Sequence, residues 1–185
     1  AENRLHLFVP GIDTRYRARE ASAPALARCA ADMVTARAGN YLMFFPSYAY
    51  LSAVRPLVEQ LLEGRAEILV QTPSMSDAEK ERFLRRVSAT GRRGSHLGLA
   101  VLGGLFGEGI DLPGEQLIGV LIAGPGLPVV DEEQGLIQEY FEKRRGEGFL
   151  FAYLVPGLIR VIQSAGRVFR TPEDKGVVLL VDNRF

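Results

Sequence analysis

An α/β protein is predicted, a parallel sheet of about six strands covered by helices on both faces. Three observations carry the prediction. Six runs, LHLFV (residues 5–9), YLMFF (41–45), EILV (67–70), LGLAVL (97–102), LIGVLIA (117–123) and VVLLV (177–181), are apolar almost without alternation. Strands buried on both faces have that character, whereas half-exposed strands alternate. The segments between the runs are longer than hairpin turns and mostly carry apolar residues at helical spacing, so neighbouring strands are joined by helical crossovers and run parallel. Neither an internal repeat nor a low-complexity tract interrupts the series.

In chain order, the strand at 5–9 precedes an alanine- and arginine-rich helix over about 19–37, which stops before Gly39. The strand at 41–45 leads to a helix over 47–62 with Leu51, Val54, Val58, Leu61 and Leu62 near helical period. After the strand at 67–70, Ser76 and Glu79 form a capping-box pattern and open a charged helix over 77–88, whose narrow apolar stripe is Phe83, Leu84 and Val87. GRRGS (91–95) reads as a loop before the strand at 97–102. Between the last two strands the pattern predicts a polar helix over 132–145 and a longer apolar helix over 148–169.

Composition bounds the function. At 185 residues, 47% hydrophobic and 24% charged, the chain is expected to form a single domain over 1–185. Lysine plus arginine equal aspartate plus glutamate at 22 each, so no global basic field announces nucleic acid, and any DNA contact must be local. Cys29 is the only cysteine, which excludes disulfides and cysteine metal clusters within the chain. His6 and His96 stand ninety residues apart with no second ligand nearby and read as structural. No leader pattern and no run of about 20 apolar residues is present, and a cytoplasmic protein without a membrane partner is expected. The chain begins on a strand and stops in a strand-then-turn signal, as a fragment of a longer protein would.

Parallel sheets bind ligands beyond the carboxyl ends of their strands. PSYAY follows the second strand, QTPS the third and FGEGIDLPGE the fourth, while QSAGRVFR precedes the sixth. In GEGID two glycines allow close backbone approach, and Glu108 and Asp111 bring carboxylates suited to hydroxyls or cations, or simply to solvent. Arg167 and Arg170, three apart, are expected on one helix face with Gln163 one turn earlier. Planar guanidinium groups suit phosphate oxygens, and the competing reading is a salt-bridged helix face.

PSYAYL, the glutamine of EILVQ, FGEGIDLPGEQL and QSAGRVFR, with Asp174, Gly176 and the final DNRF, resemble the XPD/DinG-like helicases of superfamily 2, in the same order and over essentially the whole chain. The resemblance implies a RecA-like fold of the P-loop NTPase type and the second motor domain of an ATP-dependent DNA helicase, with motif IV near residues 44–48, motif V near 107–111 and motif VI over 163–170. It also implies a partner, the first RecA-like domain of the same protein, which holds ATP and its magnesium ion. Arg170 then becomes the arginine finger, Arg167 a second phosphate contact and Gln163 an orienting group, with Glu108, Gly109 and Asp111 at the ATP cleft. Ser47, Tyr48 and Gln71 are expected on the side of single-stranded DNA.

The chain has neither G-x-x-x-x-G-K-[ST] nor D-E-x-H, so it is not expected to hydrolyse ATP alone. An iron-sulfur cluster, where the family has one, belongs to the first half. Gly107 and the run GPGLPVVDEEQG depart from the DinG pattern, which leaves residues 124–135 the least secure part of the carry-over. A non-catalytic RecA-like interaction module is the alternative function. A dinucleotide oxidoreductase is disfavoured because GGLFGEG lacks the G-x-G-x-x-G spacing.

Overall fold

The computed structural model of the chain describes residues 3–89, 94–104, 116–169, 171 and 173–185. Strands β1 (Arg4–Val9), β2 (Asn40–Phe45), β3 (Ala66–Val70), β4 (Ser95–Val101), β5 (Gly119–Ala123) and β6 (Gly176–Val181) form one sheet in the order β1-β6-β5-β2-β4-β3. Every pairing is parallel. The helices are α1 (Arg19–Ala36), α2 (Tyr48–Leu61), α3 (Asp77–Val87), α4 (Glu132–Arg145) and α5 (Val155–Ala165).

Alternation along the strands divides the core into two layers. Tyr41, Met43 and Phe45 of β2, with Leu97, Leu99 and Val101 of β4, pack under α1 and α2. Leu42 and Phe44, with Ala100, Val120 and Val178, meet Phe83 and Val87 of α3 and Val161 of α5 on the other face. Gly98 of β4 makes room on that second face, where an added Cβ would stand 2.7 Å from Leu42 Cδ2 and 2.9 Å from Phe83 Cζ.

The six-stranded parallel sheet carries helices on both faces, as expected, and its edge strand β1 leaves Leu5, Leu7 and Phe8 exposed. Its apolar sequence resembles the buried strands, and only its place in the strand order distinguishes it. One expectation needs correction, because the long apolar helix is less regular than expected and ends earlier than residue 169. It is helical from Gly148, passes through a π-helical turn, Leu150–Leu154, continues as α5 and ends at Ala165, with Gly166 as its C-cap. Arg167 therefore lies in the turn after the helix and shares no helix face with Gln163.

Local signals decide the other ends. Ser76 Oγ accepts from Glu79 N while Glu79 Oε2 accepts from Ser76 N at 2.8 Å, which is the capping box expected at α3. The polar helix ends at Gly146, whose φ of 68° is the left-handed stop that glycine adopts without a Cβ penalty. His96 and Asn40, both buried at the amino ends of β4 and β2, share a 2.9 Å hydrogen bond between Nδ1 and Oδ1, so His96 has the structural role its isolation predicts.

Candidate functional site

Because all six strands are parallel, the sheet has one carboxyl edge and one amino edge, separated by a strand of five to seven residues, roughly 20 Å. Those of the predicted site residues that the structure describes divide between the two.

At the carboxyl edge β2 ends in Phe45, and the chain turns through Ser47 into α2. Ser47 is the N-cap and accepts from Tyr50 N at 3.3 Å, which satisfies one of the free amides of the first helical turn. Its hydroxyl also accepts from Arg19 Nη1 at 3.2 Å. Tyr48 OH accepts from Gln71 Nε2 at 2.8 Å, and Gln71 Oε1 accepts from Val101 N at 2.8 Å. Gln71 is buried with both ends of its amide engaged, so it fixes the Tyr48 ring relative to the ends of β3 and β4. Burial raises the Tyr48 phenol above its usual pKa, so the group stays a neutral hydroxyl. The structure thus brings Ser47, Tyr48 and Gln71 to one place.

The same edge holds residues that sequence reasoning missed. Asp182, just past β6, accepts at Oδ2 from the amide of Thr14 at 3.0 Å and from the Thr14 hydroxyl, and at Oδ1 from Arg184 Nε at 2.7 Å and Arg184 N at 2.8 Å. Burial works against its charge, but the hydrogen bonds from Arg184 and Thr14 outweigh that and hold its pKa below the ordinary value. This ties the chain after β1 to the chain after β6. Arg19 donates Nε to the Thr14 carbonyl at 3.2 Å, and Arg160 donates Nη1 to the Gly126 carbonyl at 3.3 Å. Among the described residues neither Arg19 nor Arg160 has a carboxylate within ion-pair distance. A lone arginine in an alanine-rich segment gives no sequence signal. Only the fold sets Arg19 beside Ser47.

The amino edge receives the end of α5. That helix starts beside the carboxyl edge, where Gly157 packs on the Pro125 carbonyl, and runs back over β5. Gln163 is exposed on its last turns. Arg167 follows the helix and is only 3% exposed. Val168 packs over Gly176, the first residue of β6, and Phe169 meets His6 edge to face at 5.7 Å. Asp174 closes the next turn by accepting from Thr171 N at 2.7 Å and Thr171 Oγ1 at 3.1 Å. Arg167 is thus buried, and the expectation that it lies on a helix face with Gln163 does not hold. Arg170, Glu108, Gly109 and Asp111 lie outside the described residues.

Among the described residues no three His, Cys, Asp or Glu side chains converge as a metal site, and no helix is long and apolar enough to cross a membrane. Cys29 packs against the layer under α1, and burial raises its thiol pKa, away from the reactive thiolate.

Comparisons with known proteins agree with this geometry. The helicase C-terminal domain family matches residues 30–185. The protein named "Probable ATP-dependent helicase MJ0942" from Methanocaldococcus jannaschii is 31% identical over 162 residues, covering 80% of this chain and 24% of the relative. Human "Regulator of telomere elongation helicase 1" is 30% identical over 161 residues, covering 78% of this chain and 13% of the relative. "ATP-dependent DNA helicase YoaA" from Escherichia coli is 28% identical over 166 residues, covering 88% and 24%. The chain thus spans about a quarter or less of the length of these relatives. A solved XPD helicase structure superposes with a TM-score of 0.80 at 23% identity, over 98% of this chain and 32% of that one. Domain 2 of the DEAD-box helicase Mss116p, bound to an RNA duplex, gives 0.55 at 14% identity over 97% and 54%. These two superpositions speak to the RecA-like fold.

Proposed function

We propose, since this chain belongs to the helicase C-terminal domain family, that it is the second motor domain of an XPD/DinG-like ATP-dependent DNA helicase and couples ATP hydrolysis to movement on single-stranded DNA. The observation that carries the reading is the division of the site residues between the two edges of one parallel sheet. A polar group of Ser47, Tyr48 and Gln71 with the Arg19 guanidinium stands at the carboxyl edge, and a buried arginine and an exposed glutamine stand at the amino edge. A rigid sheet between two ligand surfaces is what a coupling domain requires.

At the carboxyl edge Ser47 and Arg19 are suited to phosphate oxygens of the strand, and the Tyr48 ring to a base. Gln71 acts through Tyr48 by holding its hydroxyl. At the amino edge Arg167 and Gln163 supply a guanidinium and an amide, a donor set that fits nucleotide phosphates. When bound there, ATP with magnesium supplies the phosphoanhydride whose cleavage drives the motor. The phosphate cradle and magnesium ligands come from the first RecA-like domain of the same protein. Guanidinium groups keep their charge when buried, which suits Arg167 to stabilising negative charge on a transferring phosphoryl group. Arg170 is assigned the arginine finger, and Glu108, Gly109 and Asp111 the junction between ATP cleft and DNA groove.

The test is Arg170→Lys in the full-length protein, which keeps the charge and removes the planar fork. Arginine fingers contribute on the order of 10³-fold or more to turnover, so DNA-stimulated ATPase activity is expected to fall at least ~100-fold with single-stranded DNA affinity nearly unchanged. Retention of most turnover, or joint loss of stability and DNA binding, would return Arg170 to a structural role.

A further inference from the structure

A line of contacts crosses the carboxyl edge from Tyr48 to α5. Tyr48 OH accepts from Gln71 Nε2 and Gln71 Oε1 accepts from Val101 N, each at 2.8 Å. Val101 ends β4 and opens a tight turn, closed where Gly104 N donates to the Val101 carbonyl at 3.2 Å. Gln71 also abuts that turn, since a Cβ built on Gly104 would stand 3.1 Å from its Nε2. Arg160 lies on the same turn, where a Cβ built on Gly103 would stand 3.1 Å from Nε and 3.2 Å from Cδ. Gly103 has a φ of 67°, which glycine adopts freely, and without a side chain it lets the arginine rest on the backbone.

Arg160 comes from the middle of α5, three residues before Gln163, and is half-buried. Its Nη1 donates to the carbonyl of a second left-handed glycine, Gly126, at 3.3 Å. One helical turn earlier Gly157 packs so closely that a Cβ would stand 2.7 Å from the Pro125 carbonyl. The two contacts pin the first half of α5 to the carboxyl edge, while its far end leads to Gln163 and Arg167. Packing alone asks for no cation here, since the buried positions of α5 are Gly157, Val161 and Ser164. What a long guanidinium adds is reach, because it touches the turns after β4 and β5 at once.

We propose that Arg160 is a positioning residue that transmits the strand-bound state of the carboxyl edge to α5, and through it to Gln163 and Arg167 at the amino edge. The inference rests on the reading that single-stranded DNA is held around Tyr48 and nucleotide phosphates around Arg167. A displacement of Tyr48 moves Gln71, Gln71 moves the turn after β4, and Arg160 moves with the turn. Close packing leaves no slack to absorb such a shift. The role needs no contact between Arg160 and the strand, which separates it from phosphate binding.

The experiment uses the full-length protein with Arg160→Ala, Arg160→Lys, Gln71→Ala and the double variant Gln71→Ala with Arg160→Ala. ATP turnover is measured with and without a saturating thymidine oligomer, strand affinity by anisotropy across a salt series, and stability by thermal unfolding. In Arg160→Ala, unstimulated turnover and strand affinity should stay within about twofold of the parent, while stimulation by the strand falls about tenfold. Arg160→Lys keeps an aliphatic stem over Gly103 and a donor for the Gly126 carbonyl, and should recover most of the stimulation. The double variant should lose no more stimulation than the worse single one, because both changes interrupt one route. Full stimulation in Arg160→Ala overturns the inference and leaves the coupling reading standing. Stimulated and unstimulated turnover that fall together with the melting temperature make Arg160 a structural residue and overturn it too. Weakened strand affinity with a shallower salt dependence makes it a phosphate contact, with the same result. A parent protein whose turnover ignores the strand overturns both readings. Should Gln71→Ala fail to fold, the two Arg160 variants decide the outcome.

Discussion

Asp182 joins the two ends of the chain. Its buried carboxylate collects hydrogen bonds from Thr14, 168 residues away, and from Arg184, two residues on. With its folded pKa below the ordinary carboxylate value of about 3.9, the group contributes stability at higher pH and loses it as pH falls through the folded value. Asp182→Asn removes the charge but leaves Arg184 and Thr14 in place. It should lower stability by about 3 kcal/mol at pH 7 and flatten the acid limb of the stability profile below about pH 4, as read by urea unfolding across pH. An unchanged acid limb would show that other carboxylates dominate it. Asp182 was visible in the sequence only as part of a terminal DNRF, since its partner Thr14 belongs to the first loop.

Elements with a local signature formed where they were expected. The Ser76 and Glu79 pair opens α3 as a capping box, because every contact it needs lies within four residues. Ser76→Ala leaves that helix's first turn without its side-chain acceptor and should cost about 1 kcal/mol in equilibrium unfolding, while Ser74→Ala, outside the helix, should cost almost nothing. Equal effects of the two would remove the cap from the account. The end of α5 had no comparable signal. Apolar residues continue to Val168 and Phe169, but these pack beyond the helix, on the start of β6 and against His6. A periodic pattern could not separate a last helical turn from a buried turn, and that cost the expectation that Arg167 lies on a helix face.

For the whole molecule, the absence of a phosphate loop and of a magnesium-holding acid sets the prediction. The 185-residue chain alone should show no ATP hydrolysis above a buffer blank, with or without single-stranded DNA, because the phosphates would have neither cradle nor counterion. Hydrolysis by a preparation freed of contaminating ATPases would mean that the division of labour between two motor domains is wrong. Net neutrality is informative at this scale too. With 22 charges of each sign, any attraction for a nucleic acid must come from the placement of charge and not from its sum.

The sequence by itself determined the six strands, the parallel α/β class and the family resemblance. Each depends on order along the chain: continuous apolar runs, crossover lengths, and motif residues in a fixed succession. Only the tertiary structure decided that β1 is an exposed edge, that Arg167 is buried beyond the end of α5, and that Ser47 and Tyr48 lie at the opposite edge of the sheet from Arg167. It also decided that Arg19 sits on Ser47 between two tyrosine rings. Those facts depend on strand order and on contacts between residues far apart in sequence, such as Ser47 and Arg19, 28 residues apart, or Asp182 and Thr14, 168 apart. A linear pattern carries the burial of a residue against its near neighbours, but which distant segment becomes its neighbour is settled only when the sheet is assembled.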